Sequence, residues 1–368
     1  MSIAIAILGL GLLILIHEAG HFFASLAVGL RPRKFYVGFP PALVKMKRRN
    51  IEYGIGTIPL GGFVSIPGMH RPVPHDAERR FERAVEEDQS LAGPVDRVKR
   101  ALPTDDLQAS LRTLDDLEHE LKRRQLSPAA TASAEKGLTE LRDGLGPDAY
   151  WKAATWKRLV AIAAGPVANI VLAIVLFAFL FMTGSGKATR TIAEVVPDSP
   201  AAEIGLQPGD RLVAIDNEIV TASDIPRVIS GSEGDPLVLR VVRDGEEVVL
   251  GPVSARPIED VYRLGFGLKG VGLGPVEGIG RAFEVTGIIS REIVFSLGRL
   301  LTGEGRENVS SPIGITQASS DAVERGAENY LWVLGLISLS LALLNLLPLL
   351  PLDGGHILFS LIEGARGR

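Results

Sequence analysis

The chain has 368 residues, 46% hydrophobic and 22% charged, which is long enough for two or three domains and fits a membrane protein with a substantial water-soluble part. It contains no cysteine, which excludes disulfides, thiolate metal ligands and a cysteine nucleophile together and leaves His, Asp and Glu to hold any metal. A net charge of −4 gives no electrostatic case for a nucleic-acid partner.

Residues 1–68 open with an apolar stretch, about 2–29, that reads as a spanning helix. Ser2 to Ile16 also resembles a signal-peptide core, with Ser25-Leu26-Ala27 as a cleavage site, but no Lys or Arg precedes it and cleavage would discard both histidines. Within it lies His17-Glu18-Ala19-Gly20-His21. Four residues apart on a helix, His17 and His21 share a face and can bind one divalent metal, while Glu18, the next residue round, can act as general base toward water. Such five-residue patterns arise by chance in soluble proteins; ionisable groups at membrane depth are costly, and that favours a metal site here. After the basic run from Arg31 to Lys34, short strands are predicted around Phe35-Tyr36-Val37 and Glu52 to Ile55, with Gly61 and Gly62 in the following Gly-rich segment.

Residues 69–150 are charged and Ala-rich. Leu107, Leu111, Leu114, Leu117 and Leu121 predict an amphipathic helix over about 105–125, in a solvated helical hairpin with one apolar stripe. His70, His75 and His119 are predicted at its surface. A second span is predicted over Leu159 to Met182, within residues 151–186, anchored by Trp151, Lys152, Trp156, Lys157 and Arg158. Its Gly165-Pro166-Val167-Ala168-Asn169 permits close packing and predicts a kink, and Asn169 is either interhelical glue or part of the site. Residues 187–258 predict a β-rich module, and 259–329 a linker with an amphipathic helix over Val276 to Leu301 followed by loop. Residues 330–368 carry the third span, Tyr330 to Leu350, ending in Pro348-Leu349-Leu350-Pro351-Leu352-Asp353-Gly354-Gly355-His356. Its prolines and glycines predict irregular backbone that turns Asp353 inward.

The basic residues flank the first two spans on one side, which puts residues about 31–157 in the cytoplasm and the N-terminus and β-rich module outside. His17 then lies roughly 22 Å along the first span, at the depth where Asp353 follows the third. Asp353 becomes the expected third ligand, and a fourth position left for water is a catalytic geometry. His356 is an alternative ligand or a hydrogen-bonding partner of one.

On these residues the chain resembles the intramembrane site-2 protease family, in its bacterial form with one PDZ domain. HEAGH at 17–21, GPVAN at 165–169, SPAAEIGLQPGDRLVAIDNEIV at 199–220 and NLLPLLPLDGGH at 345–356 carry the resemblance, and VGFPPAL and IPLGGFV resemble the family's membrane-re-entrant β-hairpin. The resemblance implies a multi-span α-helical core with that hairpin and an inserted PDZ-like domain at 187–258. It implies Zn²⁺ on His17, His21 and Asp353 with Glu18 as base, and substrate contacts from Asn169, Asn345 and the hairpin at Gly61 and Gly62. The implied activity is cleavage of transmembrane segments of single-span proteins in a bacterial inner membrane, as in regulated intramembrane proteolysis of anti-sigma factors or signal-peptide remnants. The implied partners are that substrate, the lipid bilayer, and a peptide or the substrate's outer region at the PDZ-like domain. Three features depart from the pattern: the length of the 69–150 insert, Gly38-Phe39-Pro40 where a second glycine is usual, and a chain that stops at Arg368 where relatives carry a fourth span. Two rival readings are a PDZ-bearing membrane scaffold with relic histidines, and a membrane zinc protease of another family with a downstream Glu ligand. Intact Glu18 and Asp353 argue against the first, and for the second Glu363 is the only other acidic residue near a late apolar run.

Overall fold

The structure is a computed structural model that describes residues 1–258, 261–302 and 311–366. It divides into two compact units, one formed by Met1–Ala173, Glu292–Arg325 and Leu336–Arg368, the other by Ile174–Arg291 and Gly326–Gly335.

In the first unit, helix α1 (Ser2–Ala27) is apolar all round, and its packing sorts the residues. Ala6, Leu13, His17 and His21 recur at helical spacing on the buried face, whereas Ile3, Leu8, Leu12, Phe23 and Leu26 point outward. An apolar exterior around a polar interior is the arrangement lipid favours. Strands β1 (Lys34–Arg48) and β2 (Ile51–Ser65) are each 15 residues long and form one bent hairpin, where two short strands were predicted. They pair from Arg48↔Ile51 to Ala42↔Gly56; the chain then folds back, so that residues 34–37 lie between 52–55 on one side and 62–65 on the other. Gly38, Pro41, Gly54, Gly56, Gly61 and Gly62, in segments that read as turns, supply that bend.

The insert is a four-helix bundle rather than a hairpin: α2 (Pro74–Glu87), α3 (Ala92–Ala101), α4 (Leu107–Lys122) and α5 (Pro128–Leu145). Its core joins Leu114 and Leu117 of the predicted stripe to Phe81, Leu91, Val98, Leu102, Leu138 and Leu141. The other helices were illegible because their buried faces are partly alanine, at Ala77, Ala84 and Ala134, which gives little hydrophobic contrast. His70, His75 and His119 are at the surface, as predicted.

Helix α6 (Thr155–Leu180) crosses from the first unit into the second and keeps Pro166 inside it. Val160, Val167, Val171, Val175 and Phe179 form its outward apolar stripe. In the second unit the strand-rich module contains β3 (Lys187–Val195), the short helix α7 (Pro200–Glu203), β4 (Arg211–Ile215), β5 (Glu218–Ile219), α8 (Asp224–Gly231), β6 (Pro236–Arg243) and β7 (Glu246–Ser254). The pair β8 (Arg256–Ile258) and β9 (Val261–Arg263) follows, and then β10 (Phe266–Val271). The main sheet runs β10-β3-β4-β6-β7, with β5 on β4. β6 alternates Leu237, Leu239 and Val241 inward, opposite Ile225 and Ile229 of α8. The module therefore extends to Val271, beyond the predicted 258, because the Gly-rich FGLKGV, which reads as loop, closes the free edge of β3.

Helix α9 (Pro275–Thr302) matches the predicted amphipathic helix. The stretch predicted as loop up to about residue 329 contains α10 (Pro312–Glu324), capped by the Ser311 hydroxyl on Gly314 N with Pro312 at the first helical position, a start signal the sequence carried. α10 packs against α1 in the first unit. α11 (Ala327–Asn345) is the third apolar helix, and α12 (Asp353–Ala365) begins at Asp353 itself, so that residue sits on a helix N-terminus and not on irregular backbone. Among the described residues three helices, α1, α6 and α11, are long and apolar enough to cross a membrane.

Within the module, Asp210 is buried and receives two hydrogen bonds from Arg243, at 2.7 Å each, and one from Gln207 N at 2.9 Å. The Arg243 bonds hold the Asp210 carboxyl below its ordinary range despite burial. A lowered carboxyl pKa contributes stability that is complete above the unfolded value, about 4, and is lost as pH falls through the lowered value. Asp210→Asn is expected to lower the module's unfolding temperature at pH 7 and to flatten its decline in acid. A fluorophore on a cysteine introduced at exposed Glu247, unique in this chain, reports the transition.

Candidate metal centre

Three side chains from two ends of the sequence meet in the first unit. His17 Nε2 lies 3.0 Å from Asp353 Oδ2, His21 Nε2 lies 3.3 Å from the same oxygen, and the two imidazole nitrogens are 3.2 Å apart. The ring planes are near perpendicular, at 86°. His21 Nδ1–H donates to Ala161 O at 2.9 Å, which fixes its tautomer and leaves Nε2 as a bare lone pair turned toward the other two. Among the described residues this is the one cluster of three such donors.

The donor set fits a cation. Three lone pairs converge, and a proton on His17 Nε2 can satisfy only one neighbour, so a single cation suits the three donors better than a shared proton does. A tetrahedral zinc with bonds of about 2.0–2.1 Å separates its ligands by about 3.3 Å, close to the three observed edges. Two nitrogens and one carboxylate also match the ligand types that zinc takes in sites with an open position.

The room for such an ion comes from α6. A methyl group on Gly165 would lie 2.3 Å from His21 Nε2 and 2.9 Å from His17 Nε2. One turn away in space, a methyl on Gly20 would lie 2.4 Å from Ala164 O, so both helices use glycine where their backbones meet. From the other side, α12 is fixed by Glu363, which pairs with buried Arg158 of α6, and by Ser360, whose hydroxyl lies 3.3 Å from Tyr150 Oη. That pairing also takes Glu363, the acidic residue of the rival ligand set, out of contention.

A cleft of about 330 Å³ opens over the cluster, lined by Glu18, His21, Val64, Ile66, Asp353 and His356 among others. Glu18 is half-buried there, and Val64 N–H donates to its Oε2 at 3.2 Å. His356 lines the cleft without joining the three donors. Gly61 and Gly62 are buried and bring β2 against α1: a methyl at Gly62 would touch Glu18 and Leu15 at 3.2 Å. Asn169 is fully buried with its Nδ2 3.5 Å from His17 Nδ1, and it does not line the cleft. The structure thus puts it behind a histidine and beside Ser338 of α11, in keeping with both readings left open from the sequence, a part of the site and a link between helices; the resemblance had implied a contact with substrate. Asn345 ends α11, half-buried, and is likewise absent from the cleft lining.

Residues 5–368 match peptidase family M50. The chain belongs to this family of site-2 proteases. Among M50 relatives, zinc metalloprotease RasP of Bacillus licheniformis is 28% identical over 98% of this chain and 90% of its own length. RasP of Geobacillus kaustophilus is 29% identical over 100% and 90%. A protein of Agrobacterium fabrum with a provisional zinc metalloprotease name is 30% identical over 98% and 86%. As an M50 member, the protein is a zinc-dependent metalloendopeptidase of the membrane.

The close approach of Gly165 to both histidines was not read from the sequence, although GPVAN was read for close packing and stood among the motifs that carry the family resemblance. Gly165→Ala is expected to abolish stoichiometric zinc in the purified protein while leaving its helical circular dichroism unchanged. Zinc near one equivalent per chain in this variant would show that the cluster and the glycine are unrelated.

Proposed function

We propose that the protein is an intramembrane endopeptidase that cuts the transmembrane segment of single-span membrane proteins. The observation that carries this reading is the convergence of His17, His21 and Asp353 beneath a cleft bordered by a strand, on helices whose outward surfaces are apolar. In it, His17, His21 and Asp353 hold the zinc. When bound, the metal supplies Lewis-acid polarisation of the scissile carbonyl and lowers the pKa of water. Glu18 takes the proton from the attacking water and delivers it to the leaving amine. Asn169 orients His17: with its amide turned so that Oδ1, otherwise a buried oxygen without a partner, faces the ring, it accepts from His17 Nδ1–H.

The substrate helix must unwind to expose a peptide bond, and its freed backbone groups need partners at membrane depth. Residues 62–65, paired on one side with 34–37, border the cleft from Phe63 to Ser65 and suit an extended substrate strand added at that edge. The second unit's module is read as PDZ-like. Its groove of about 630 Å³, between α8 and the Leu264–Leu268 segment, is of a size for a peptide or for the substrate's outer region. The basic residues from Arg31 to Arg49, with Lys157 and Arg158, orient the chain in a bacterial plasma membrane with residues about 31–157 inside and the module outside. Regulated proteolysis, for example of anti-sigma factors, is the physiological setting that fits.

The deciding experiment separates two carboxylates by metal content and by cleavage of a transmembrane reporter. Glu18→Gln is expected to retain about one zinc per chain and to lose turnover by at least about 10²–10⁴-fold. Asp353→Ala is expected to lose zinc and activity together, and His356→Ala only part of each. A chelator should silence the wild type and added zinc restore it. Full zinc and full activity in Asp353→Ala would remove the third ligand and with it this mechanism.

Orientation has its own test. Protease added to intact spheroplasts is expected to cleave near Gly209 and to spare the bundle around Asp115; the reverse pattern inverts the topology.

A further inference from the structure

A second cavity, of about 880 Å³, lies where α1 ends and the β1–β2 turn returns beside it; its lining includes Leu26, Arg31, Met46, Arg48, Arg49 and Tyr53. It shares no residue with the metal cleft. Arg33, also on its wall, is neutralised by Asp143 and Asp148, each at 2.8 Å. Arg31, Arg48 and Arg49 form no direct ion pair among the described residues, although Asp148 also acts on Arg31 at longer range. The hairpin's one carboxylate, Glu52, takes the Tyr36 hydroxyl and faces Lys34, Lys45 and Lys47, so the basic charge around the cavity is far from balanced. The turn holds this arrangement: Arg49 and Asn50 both have left-handed backbone, with φ of 49° and 67°, which fixes a two-residue reversal with Arg48 and Arg49 side by side. Arg31, Arg48 and Arg49 line the same cavity with exposed, positively charged side chains, so the cavity suits an anion.

Its position identifies the source of that anion. The apolar run of α1 ends at Ala27, and the neighbouring strand exposes Leu43, Val44 and Met46 up to the basic turn. Apolar surface giving way to Arg and Lys over a few residues is the profile of a membrane–water boundary. We propose that this cavity binds the phosphate headgroup of an anionic phospholipid, with Arg31, Arg48 and Arg49 around the phosphate and Leu26 and Met46 along the first acyl carbons.

The test is native mass spectrometry of the full-length, zinc-loaded protein titrated with phosphatidylglycerol or phosphatidylcholine. One phosphatidylglycerol is expected to bind at least tenfold more tightly than phosphatidylcholine. An Arg near an anionic lipid contributes about 1 kcal/mol, so Arg48→Gln with Arg49→Gln should weaken it by about thirtyfold. Arg48→Lys with Arg49→Lys should retain most of the affinity, and unchanged zinc content in both double variants certifies the fold independently of lipid. Equal binding of the two lipids, or phosphatidylglycerol binding indifferent to the Gln pair, overturns the proposal. Millimolar inorganic phosphate displacing the lipid in full would reassign the cavity to a soluble anion, and tighter binding of an acidic peptide than of lipid would reassign it to a substrate segment; both outcomes overturn it.

Discussion

The distance of closest approach between α1 and α6 sets everything at the metal centre. Gly20 and Gly165 let the two backbones come near enough for His21 Nδ1 to reach Ala161 O, and the same bond turns Nε2 toward its partners. Bulk at either glycine would push the helices apart or fill the space between the donors. The polar cluster is affordable in an apolar setting because its members face one another and because the outward faces of the same helices remain aliphatic. Packing and chemistry are thus one constraint: the helix face that cannot meet lipid is the face that can hold zinc.

Around this contact the remaining elements act as positioners. Arg158 and Tyr150 locate α12 through Glu363 and Ser360, and so place Asp353 from a helix N-terminus. β2 approaches α1 through Gly61 and Gly62, and its Val64 N–H reaches the Glu18 carboxylate. The base and the strand edge beside it are therefore within one hydrogen bond of each other. Ser338 of α11 donates to Asn169 O at 2.9 Å, tying the third apolar helix to the second directly behind His17.

How much of this was legible depended on how strongly each residue's environment restricts its identity. The apolar helices and the juxtaposition of His17, His21 and Asp353 could be read because charge in a spanning segment is rare and depth along a helix is countable. The bent hairpin and the bundle were harder: glycines and prolines that read as turns serve a fold-back within continuous pairing, and alanine-faced helices carry almost no periodic signal. α10 was missed although Ser311-Pro312 announced it, because the run after it lacks a strong apolar stripe. Asn169 and Gly165 were noticed as a motif, yet their jobs depend on which neighbour lies across the interface. That neighbour is 140 to 152 residues away in sequence, as the His21–Ala161 and Asn169–His17 contacts show.

The four-helix bundle leaves and rejoins the core at one place. Tyr150 N donates to Pro67 O at 2.9 Å and Trp151 N to Gly68 O at 3.0 Å, so the two strands of backbone that bracket the bundle are already hydrogen-bonded neighbours. Closing that gap costs the core the same whether the loop between holds a few residues or an entire helical domain, apart from an entropy that grows only logarithmically with length. The bundle has its own hydrophobic centre and borrows little from the helices that carry the zinc ligands. It is built as a cassette, joined to the core at one doorway and folded around its own centre.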